Sequence, residues 1–266
     1  MAYLPVGQIG LERSLPNNLF VTLAYDFVRN IGGVRTRDIN APLPGTGIRP
    51  NPNEGQVLQY QGSGLSTNQH IKATMRQRFS IFVVTANYSY QHGLSDQEDR
   101  RGGDVFLPVD SYDLRKEWGN VVDPRHEFNS SINSRLPLDV YLTTTINARS
   151  SRFYTITTGK DDNKDGVIND RPPGAHKNSE VGPGYFDVSF NFSKAFELNR
   201  AAGAASQRGS GTAVSRSQMN VFANVNNAFN MQHPGLPSGV MTSPFFGKSY
   251  NATSPRTIEV GMRFQF

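Results

Sequence analysis

The sequence predicts an all-β fold: an antiparallel, transmembrane outer-membrane β-barrel segment of roughly nine or ten strands, which we expect to be an incomplete barrel. Three observations favour this fold class. Apolar and polar residues alternate over stretches of about ten residues, the length of a tilted strand that crosses a bilayer. Helical spacing of apolar residues is nearly absent. The connections between the alternating stretches are short at one end of the strands and long at the other.

The alternation gives each strand one apolar face and one polar face. In the clearest example, Phe186, Val188, Phe190 and Phe192 face away from the polar residues between them. The polar positions carry Asn, Ser, Thr, Arg and Glu, which suit a water-filled lumen. Strands are predicted near residues 19–28, 71–76, 82–91, 127–136, 140–149, 186–193, 220–225 and 257–266.

The connections have two length classes. Short turns are predicted at residues 15–18, 80–81 and 137–139, and long loops at 30–67, 93–125, 150–184 and 227–254. One connection, residues 199–216, has intermediate length and a flexible composition. Short periplasmic turns and long extracellular loops are typical of outer-membrane barrels. A soluble all-β domain is the alternative, but its strands do not require this asymmetry.

Composition excludes several function classes. The chain has 266 residues, 27 Lys and Arg against 22 Asp and Glu, and no cysteine. The positive charge forms no basic run, so nucleic acid is not an expected partner, and thiol chemistry and disulfides are excluded. No apolar run reaches the roughly 18 residues of a transmembrane helix, and residues 1–14 lack the features of a signal peptide. Because the strands still indicate the outer membrane, we expect the natural N-terminus to lie upstream of Met1.

Several segments resemble TonB-dependent receptors of the Oar-like subgroup, which carry a carboxypeptidase-regulatory-like N-terminal domain. In WGNVVDPRHEFNSSINSRLPL the motif Asp123-Pro-Arg-His126 opens a strand, as in those receptors. The resemblance continues in order through the following segments: DINAPLPGTGIRPNP, ARSSRFYTITTGKDDNKDGVINDRPPG, FANVNNAFNMQHPGLPSG and SPFFGKSYNATSPRTIEVGMRFQF.

The resemblance implies a barrel of about 22 strands with a plug domain and a TonB box. Residues 1–266 would be its C-terminal portion, without plug or TonB box. The implied role is ligand binding and uptake across the outer membrane of a Gram-negative-type bacterium. The implied partners are lipid and lipopolysaccharide, the barrel-assembly machinery, TonB through the missing N-terminal part, and a small-molecule or peptide ligand that the sequence does not identify.

Three other readings stay open. A complete small barrel of ten strands is compatible with the even strand numbers seen from about 8 upward. Such a barrel would display its long loops as a non-transporting surface or adhesion protein. A barrel-rim hydrolase is the third, and its candidate residues are the histidines His70, His92, His126, His176 and His233. No G-x-S-x-G element is present, and we expect no enzymatic activity.

The sharpest local motif is Asp161-Asp-Asn-Lys-Asp-Gly166, which fits the start of a calcium loop. Asp161, Asn163 and Asp165 would supply side-chain oxygens and Val167 a backbone carbonyl. The twelfth position is Pro172 instead of an acid, so this is no EF-hand, although Asp170 is a substitute donor. The alternative is an acidic turn without metal, because Asp, Asn and Gly also favour turns. Calcium is the one cofactor that the sequence suggests.

Further candidates lie on the predicted strands. Asn220, Asn224, Asn226 and Asn227 form a polar stripe that either lines a ligand path or combines lumen polarity with a turn. Tyr25, Tyr88, Tyr90 and Phe266 are candidates for the aromatic girdles at the membrane boundary. Four arginines are expected near the extracellular rim, where they would meet lipopolysaccharide: Arg76, Arg78, Arg100 and Arg101.

The last strand, RTIEVGMRFQF, alternates up to the terminal aromatic residue. It resembles the terminal strand of outer-membrane proteins that the barrel-assembly machinery reads. The resemblance assigns that signal to Val260, Met262, Phe264 and Phe266, with Phe266 at the membrane boundary and Arg263 pointing to the lumen.

Overall fold

The computed structural model of the protein describes residues 2–97, 106–198 and 218–265. Two 3₁₀ turns, Leu114–Glu117 and Pro137–Asp139, are the helical elements of this part, which contains no helix long and apolar enough to cross a membrane. Its strands are β1 (Val6–Leu15), β2 (Leu19–Asp38), β3 (Leu58–Arg78), β4 (Phe82–Ser95), β5 (Gly119–Asn120), β6 (His126–Leu136), β7 (Val140–Arg149), β8 (Phe153–Tyr154), β9 (Glu180–Val181), β10 (Tyr185–Glu197), β11 (Gln218–Asn226) and β12 (Thr257–Gln265).

Nine strands of the described residues form one antiparallel meander in the order β1-β2-β3-β4-β6-β7-β10-β11-β12. β5 adds to the end of β4, and β8 pairs with β9 in a separate two-stranded sheet. Within the same ranges β1 pairs only with β2 and β12 only with β11, so the sheet is open. The predicted all-β, antiparallel, incomplete barrel is confirmed.

The register aligns the apolar faces of neighbouring strands into continuous rows. Tyr25 and Tyr90 both lie opposite Ile71, for example, and Leu142 lies opposite Phe192. Most of the apolar side chains are not packed into a hydrophobic core. The buried hydrophobic residues of the described chain are Ala41, Phe153 and Val188. A surface of aligned, exposed aliphatic and aromatic residues is what a barrel presents to lipid.

The other face is polar and its side chains are hydrogen-bonded across strands. Asn191 donates to Asn224, which donates to Glu259 over 3.2 Å, so one ladder joins β10, β11 and β12. Lys72 Nζ and Asp26 form an ion pair at 2.7 Å between β3 and β2. This face is the lumen wall of the barrel. Arg263 lies on it opposite Asn220.

One glycine of the terminal strand has a packing reason. Gly261 lies opposite Phe222 on the polar face, and a Cβ at Gly261 would stand 2.5 Å from Cζ of that ring. The Phe222 ring therefore occupies the space that any other residue at 261 would fill. The apolar residues of this strand, Ile258, Val260, Met262 and Phe264, are exposed on the opposite face. Phe266 lies outside the described residues.

The structure corrects two sequence predictions on element boundaries. The stretch Val6–Leu15, which was considered only as a possible signal peptide, forms strand β1. The predicted loop 30–67 is too long, because β2 continues to Asp38 and β3 begins at Leu58. Gly33 marks a β-bulge that shifts the β2–β3 register and breaks the alternation on which the prediction relied. At 20 and 21 residues, β2 and β3 extend well beyond a bilayer crossing of about 9–11 residues.

The predicted position of two arginines is wrong. Arg76 and Arg78 lie at the end of β3, beside the short turn to β4. Short turns are periplasmic in outer-membrane barrels, so both residues lie at the opposite end from the long loops. Arg100 and Arg101, and the connection 199–216, lie outside the described residues.

Candidate functional site

Four long connections meet at the end of the sheet that is remote from the short turns. We call them loop 1 (residues 39–57), loop 2 (96–125, described at 96–97 and 106–125), loop 3 (150–184) and loop 4 (227–256). They leave from β2, β4, β7 and β11 in turn, so loops that are far apart in the sequence come together above the sheet. The loops hold most of the buried polar residues of the described chain, which indicates that they are packed against one another.

Arg49 attaches loop 1 to loop 3. Its Nη1 pairs with Asp38 Oδ2 at 2.8 Å, and its Nη2 donates to the carbonyl of Asp165 at 2.7 Å. Asp38 is buried and its other carboxylate oxygen accepts the backbone N–H groups of Asn40 and Val57. One buried carboxylate therefore organises both ends of loop 1 and orients the arginine that contacts loop 3.

Arg171 attaches loop 3 to loop 2. Its Nη2 donates to both carboxylate oxygens of Glu117 at 2.6 Å, and the two side chains are only 7% and 3% exposed. Arg171 Nη1 also donates to the carbonyl of Lys116, and Glu117 accepts the N–H of Val109. A charge pair this deeply buried is stabilising only when most of its remaining hydrogen bonds are also made, and in the described chain Arg171 Nε is buried without a partner. This buried ion pair between Arg171 and Glu117 therefore holds loops 2 and 3 together in one specific arrangement.

Gly119 allows a close approach of loop 2 to loop 3. A Cβ at this position would stand 2.2 Å from the carbonyl oxygen of Lys177, a backbone atom that no side-chain rotation can move. We expect Gly119→Ala to separate the two loops at a cost of about 1–3 kcal/mol. Limited proteolysis of the folded chain should then cut loop 3 faster than in the parent. Gly55→Ala is the matched control, since nothing lies within 4 Å of its Cβ, and equal proteolysis of both variants would contradict the prediction.

Among the clefts between the described loops, two are large enough and polar enough to matter for ligand binding. The larger, of about 660 Å³, has walls from loops 1, 2 and 3 and contains charges of both signs. Its buried carboxylates are Asp165 and Asp170, and two of its cations, Arg171 and Lys116, are already ion-paired. The smaller cleft, of about 260 Å³, lies where β7 ends and β10 begins, beneath loop 4. Its prominent side chains are Arg149, Arg152, Tyr185 and His233.

A third cleft, of about 320 Å³, continues from the smaller one down the polar wall of the sheet. The two share Arg149, Tyr185 and Thr253, and the third adds Glu127 and Asn147. A continuous polar surface therefore runs from loop 4 to the lumen wall. Sequence analysis did not single out these arginines, because nothing in the local sequence around Arg149 or Arg152 shows that loop 4 covers them.

The predicted calcium loop is a compact turn in the structure. Asp161 accepts the backbone N–H groups of Asp165 and Gly166, and Asp170 accepts those of Asp162 and Asn163. These bonds bring the predicted donors around one turn, but they occupy carboxylate oxygens that calcium would need. No group of three acidic or histidine side chains in the described part of the chain is arranged to hold a metal ion. Calcium binding stays a prediction.

A substitution of Asp165 can distinguish a calcium-binding loop from an acidic turn without metal. Burial raises the pKa of its carboxyl, helped by the nearby charges of Asp161 and Asp170. A raised folded-state pKa means that stability is lost as pH rises through it, and the loss persists at neutral pH. Asp165→Asn should therefore leave the turn as stable as in the parent or more stable at neutral pH without calcium, with the difference fading in acid.

Hydrogen exchange of the amides of residues 161–170, measured against pH, checks this expectation. Calorimetry tests calcium binding directly. Heat on adding millimolar calcium to the parent but not to Asp165→Asn would support a calcium loop. An absence of heat in both would end the calcium prediction, whereas a loss of protection in Asp165→Asn at every pH would contradict the pKa argument.

Two of the histidines make structural contacts. His126 Nδ1 lies 2.8 Å from the hydroxyl of Tyr88, and the ring of His233 stacks on Tyr185 with its Nε2 near the carbonyl of Phe186. His176 lines the larger cleft, while His70 and His92 lie in strands β3 and β4. The absence of catalysis stays a prediction.

The predicted asparagine stripe divides into two parts. Asn220, Asn224 and Asn226 lie on the polar face of β11, where Asn226 also bonds to Thr257 at 3.2 Å. Asn227 is instead a buried turn residue with a φ of 50°, and its side chain bonds to the backbone of Met231. The aromatic-girdle role of Tyr25, Tyr88 and Tyr90 stays a hypothesis; all three lie on the lipid-facing rows.

Comparisons with known proteins agree with this architecture. The family profile described as an outer membrane beta barrel domain matches residues 2–179. Among solved structures, the outer membrane transporter YddB from Escherichia coli superposes with a TM-score of 0.60 at 11% identity, over 98% of this chain and 32% of YddB. No curated protein matched the chain.

Two further structures share the fold. The FrpB iron transporter from Neisseria meningitidis (F3-3 variant) has a TM-score of 0.52 at 11% identity, over 98% of this chain and 31% of FrpB. The ferric-catecholate import receptor Fiu from K12 E. coli has a TM-score of 0.51 at 13% identity, over 99% of this chain and 28% of Fiu. The chain thus spans about a third of the length of each of these proteins.

Proposed function

Since the chain belongs to the family of outer membrane beta-barrel domains, we propose that it is part of a receptor that binds a ligand at the cell surface and takes it up across the outer membrane. The protein is located in the outer membrane. The observation that carries the proposal is the continuous polar surface between the loop clefts and the lumen wall, with Arg149, Tyr185 and Thr253 common to both. A ligand captured by the loops would enter the lumen along it.

The direction of the edge strands supports a larger barrel. Because consecutive strands of the nine-stranded meander are all antiparallel, β1 and β12 run in the same direction. Closure with antiparallel pairs alone therefore requires an odd number of additional strands. Every even-stranded barrel of ten or more strands leaves such an odd remainder, and a barrel of about 22 strands is one of them. From the resemblance of the chain's segments to that family, we propose that the chain is the C-terminal portion of a TonB-dependent receptor of the Oar-like subgroup, whose plug and TonB box lie upstream.

The same proposal assigns the partners. TonB would act through the upstream part, and lipopolysaccharide would surround the extracellular rim. The barrel-assembly machinery would read the terminal strand, where Val260 and Met262 expose apolar side chains on the lipid face. YddB, FrpB and Fiu are described as transporters or an import receptor, which supports uptake and not hydrolysis as the role.

The upstream coding sequence and one uptake assay test the proposal. A plug domain and TonB box upstream, with ligand uptake lost when TonB is deleted, are the expected results. A signal peptide immediately before Met1 would instead favour a complete small barrel, closed by one parallel strand pair. Uptake that is unaffected by the loss of TonB would overturn the energised-receptor proposal.

A surface or adhesion protein is the second candidate. The loops are held together by buried ion pairs and expose large apolar side chains, among them Ile168, Tyr250 and Phe229. Rigid, apolar loop surfaces are suited to protein contacts. Cells that carry the protein would then adhere through loops 3 and 4, and deletion of those loops would abolish adhesion without changing the uptake of any solute.

A further inference from the structure

We infer that the cleft formed by Arg149, Arg152, Tyr185 and His233 binds an oxyanion, a carboxylate or phosphate group of the ligand, at the entrance to the lumen. This inference rests on the proposed receptor function and specifies the chemical class of ligand for it. Two strand ends and one loop form the cleft: Arg149 ends β7, Tyr185 begins β10, and residues of loop 4 line it as well.

The residues that line the cleft carry positive charge and no negative charge. Its lining contains two arginines and neither aspartate nor glutamate. Within the described residues, neither Arg149 nor Arg152 takes part in an ion pair, in contrast to Arg35 in β2 and to Arg49 and Arg171 in loops 1 and 3. An arginine without an ion-pair partner keeps its fork of donors for an external anion, and that fork fits carboxylate and phosphate groups in a bidentate manner.

The guanidinium of Arg149 has a fixed position. It lies 4.6 Å from the centre of the Tyr185 ring, and that ring also packs against His233 in a tilted arrangement at a centroid distance of 4.3 Å. Stacking holds the guanidinium without consuming its hydrogen-bond donors. The aromatic pair thus presents a cation to the cleft in a preorganised orientation, which lowers the entropic cost of binding an anion.

Two acidic groups lie on the polar wall of the sheet beside the cleft. Glu127 is the cross-strand neighbour of Arg149 and lines the adjoining cleft on the lumen wall, and Asp187 lies opposite Asn147 and bonds to Ser189. The sign of the charge therefore changes from positive at the mouth to negative on the wall. An anion would be retained at the mouth, with its uncharged part directed towards loop 4.

The size of the cleft limits what it can hold. At about 260 Å³ it is smaller than most cavities for drug-sized ligands, which begin near about 300 Å³. It therefore accommodates one charged group and a few attached atoms. The side chains of Leu236 and Pro234 supply an apolar wall beside the arginines, so the preferred ligand carries its oxyanion on a short apolar or planar segment.

Calorimetry on the full-length protein, purified in uncharged detergent micelles, tests the inference, with citrate and inorganic phosphate as soluble probes. Arg152→Gln and Arg149→Gln should each raise the Kd for citrate by about tenfold, the effect expected for the loss of one charge-assisted hydrogen bond. Arg152→Lys should retain part of the affinity. Arg76→Gln is the matched control: it removes one positive charge from the short-turn end of the sheet and should leave the Kd unchanged.

Vesicles of phosphatidylcholine with and without lipopolysaccharide identify the source of the anion. Binding of soluble citrate or phosphate, weakened by Arg152→Gln, indicates a diffusible ligand. Binding of the lipopolysaccharide vesicles alone, weakened by the same variant, indicates a lipid phosphate, and both results support an oxyanion site. Circular dichroism confirms that each variant is folded. Absence of binding by the parent to every probe, or equal losses in Arg152→Gln and Arg76→Gln, would overturn the inference.

The test of the oxyanion site and the test of TonB-dependent uptake can give different results, so each proposal can fail without the other. Citrate binding that depends on Arg152, together with uptake that ignores TonB, would retain the oxyanion site and reject the receptor proposal. TonB-dependent uptake by a parent whose chain binds none of the anions would do the reverse.

Discussion

Replacing Arg171 with methionine should release loop 3 from loop 2 at a cost of about 3–5 kcal/mol, the usual penalty for removing one partner of a buried ion pair. The cost is large because the carboxylate of Glu117, 3% exposed, would stay buried without its counterion. Among the described residues, the N–H of Val109 would then be its remaining hydrogen-bond donor. Water must then enter between the loops or Glu117 must take up a proton, and either change loosens the larger cleft.

Hydrogen exchange of loops 2 and 3 measures this effect, because local opening determines the protection of their amides. Lys116→Met is the matched control in the same segment: its ion pair with Asp110 is 2.7 Å long, but the lysine side chain is 54% exposed. Such a pair contributes only about 0.2–1 kcal/mol. The double variant Arg171→Met with Glu117→Leu should recover much of the loss. Equal deprotection in the Arg171 and Lys116 variants would contradict the argument.

The strands were predictable because lipid and lumen impose a period of two on every membrane-crossing residue. Phe186 to Phe192 fit that pattern without exception, and their strand has the predicted bounds to within a few residues. The prediction failed where another constraint interrupted the period. In β1, Gly7 and Gly10 interrupt the alternation of apolar and polar residues. The bulge at Gly33 shifts the alternation in β2, so the part of the β2–β3 hairpin beyond it was predicted as loop.

The site was largely beyond prediction because its contacts are non-local. Arg171 and Glu117 are 54 positions apart, and Arg49 reaches a carbonyl 116 positions away. No local pattern marks either partner. The calcium motif, by contrast, was visible in the sequence because its residues contact one another within a single turn. Because the backbone N–H groups of that turn are also close by, they can donate hydrogen bonds to its carboxylates without a metal ion. The prediction for Arg76 and Arg78 failed for a different reason. The sequence showed that both arginines lie near the end of a strand, but it did not show that this is the short-turn end.

The assignment of faces predicts a strong contrast between two neighbouring threonines of β7. Thr144 lies between Ile132 and Phe190 on the apolar face, and Thr145 lies between Ser131 and Ser189 on the polar face. Both are near the middle of the strand. Thr144→Arg should cost about 2–4 kcal/mol, the penalty for an arginine that faces lipid near the bilayer midplane. Thr145→Arg should cost little, because its guanidinium would extend into water in the lumen.

The two variants carry the same substitution at adjacent positions, so differences in strand propensity, net charge and unfolded state cancel between them. Folding yield into liposomes and the urea midpoint of the folded fraction give the comparison. The midpoint of Thr144→Arg should fall clearly below that of Thr145→Arg, and thicker bilayers should widen the gap, because they place residue 144 farther from either interface. If both variants folded equally well, the apolar rows would face protein or water instead of lipid; if Thr145→Arg were the weaker one, the lumen and lipid faces would be reversed.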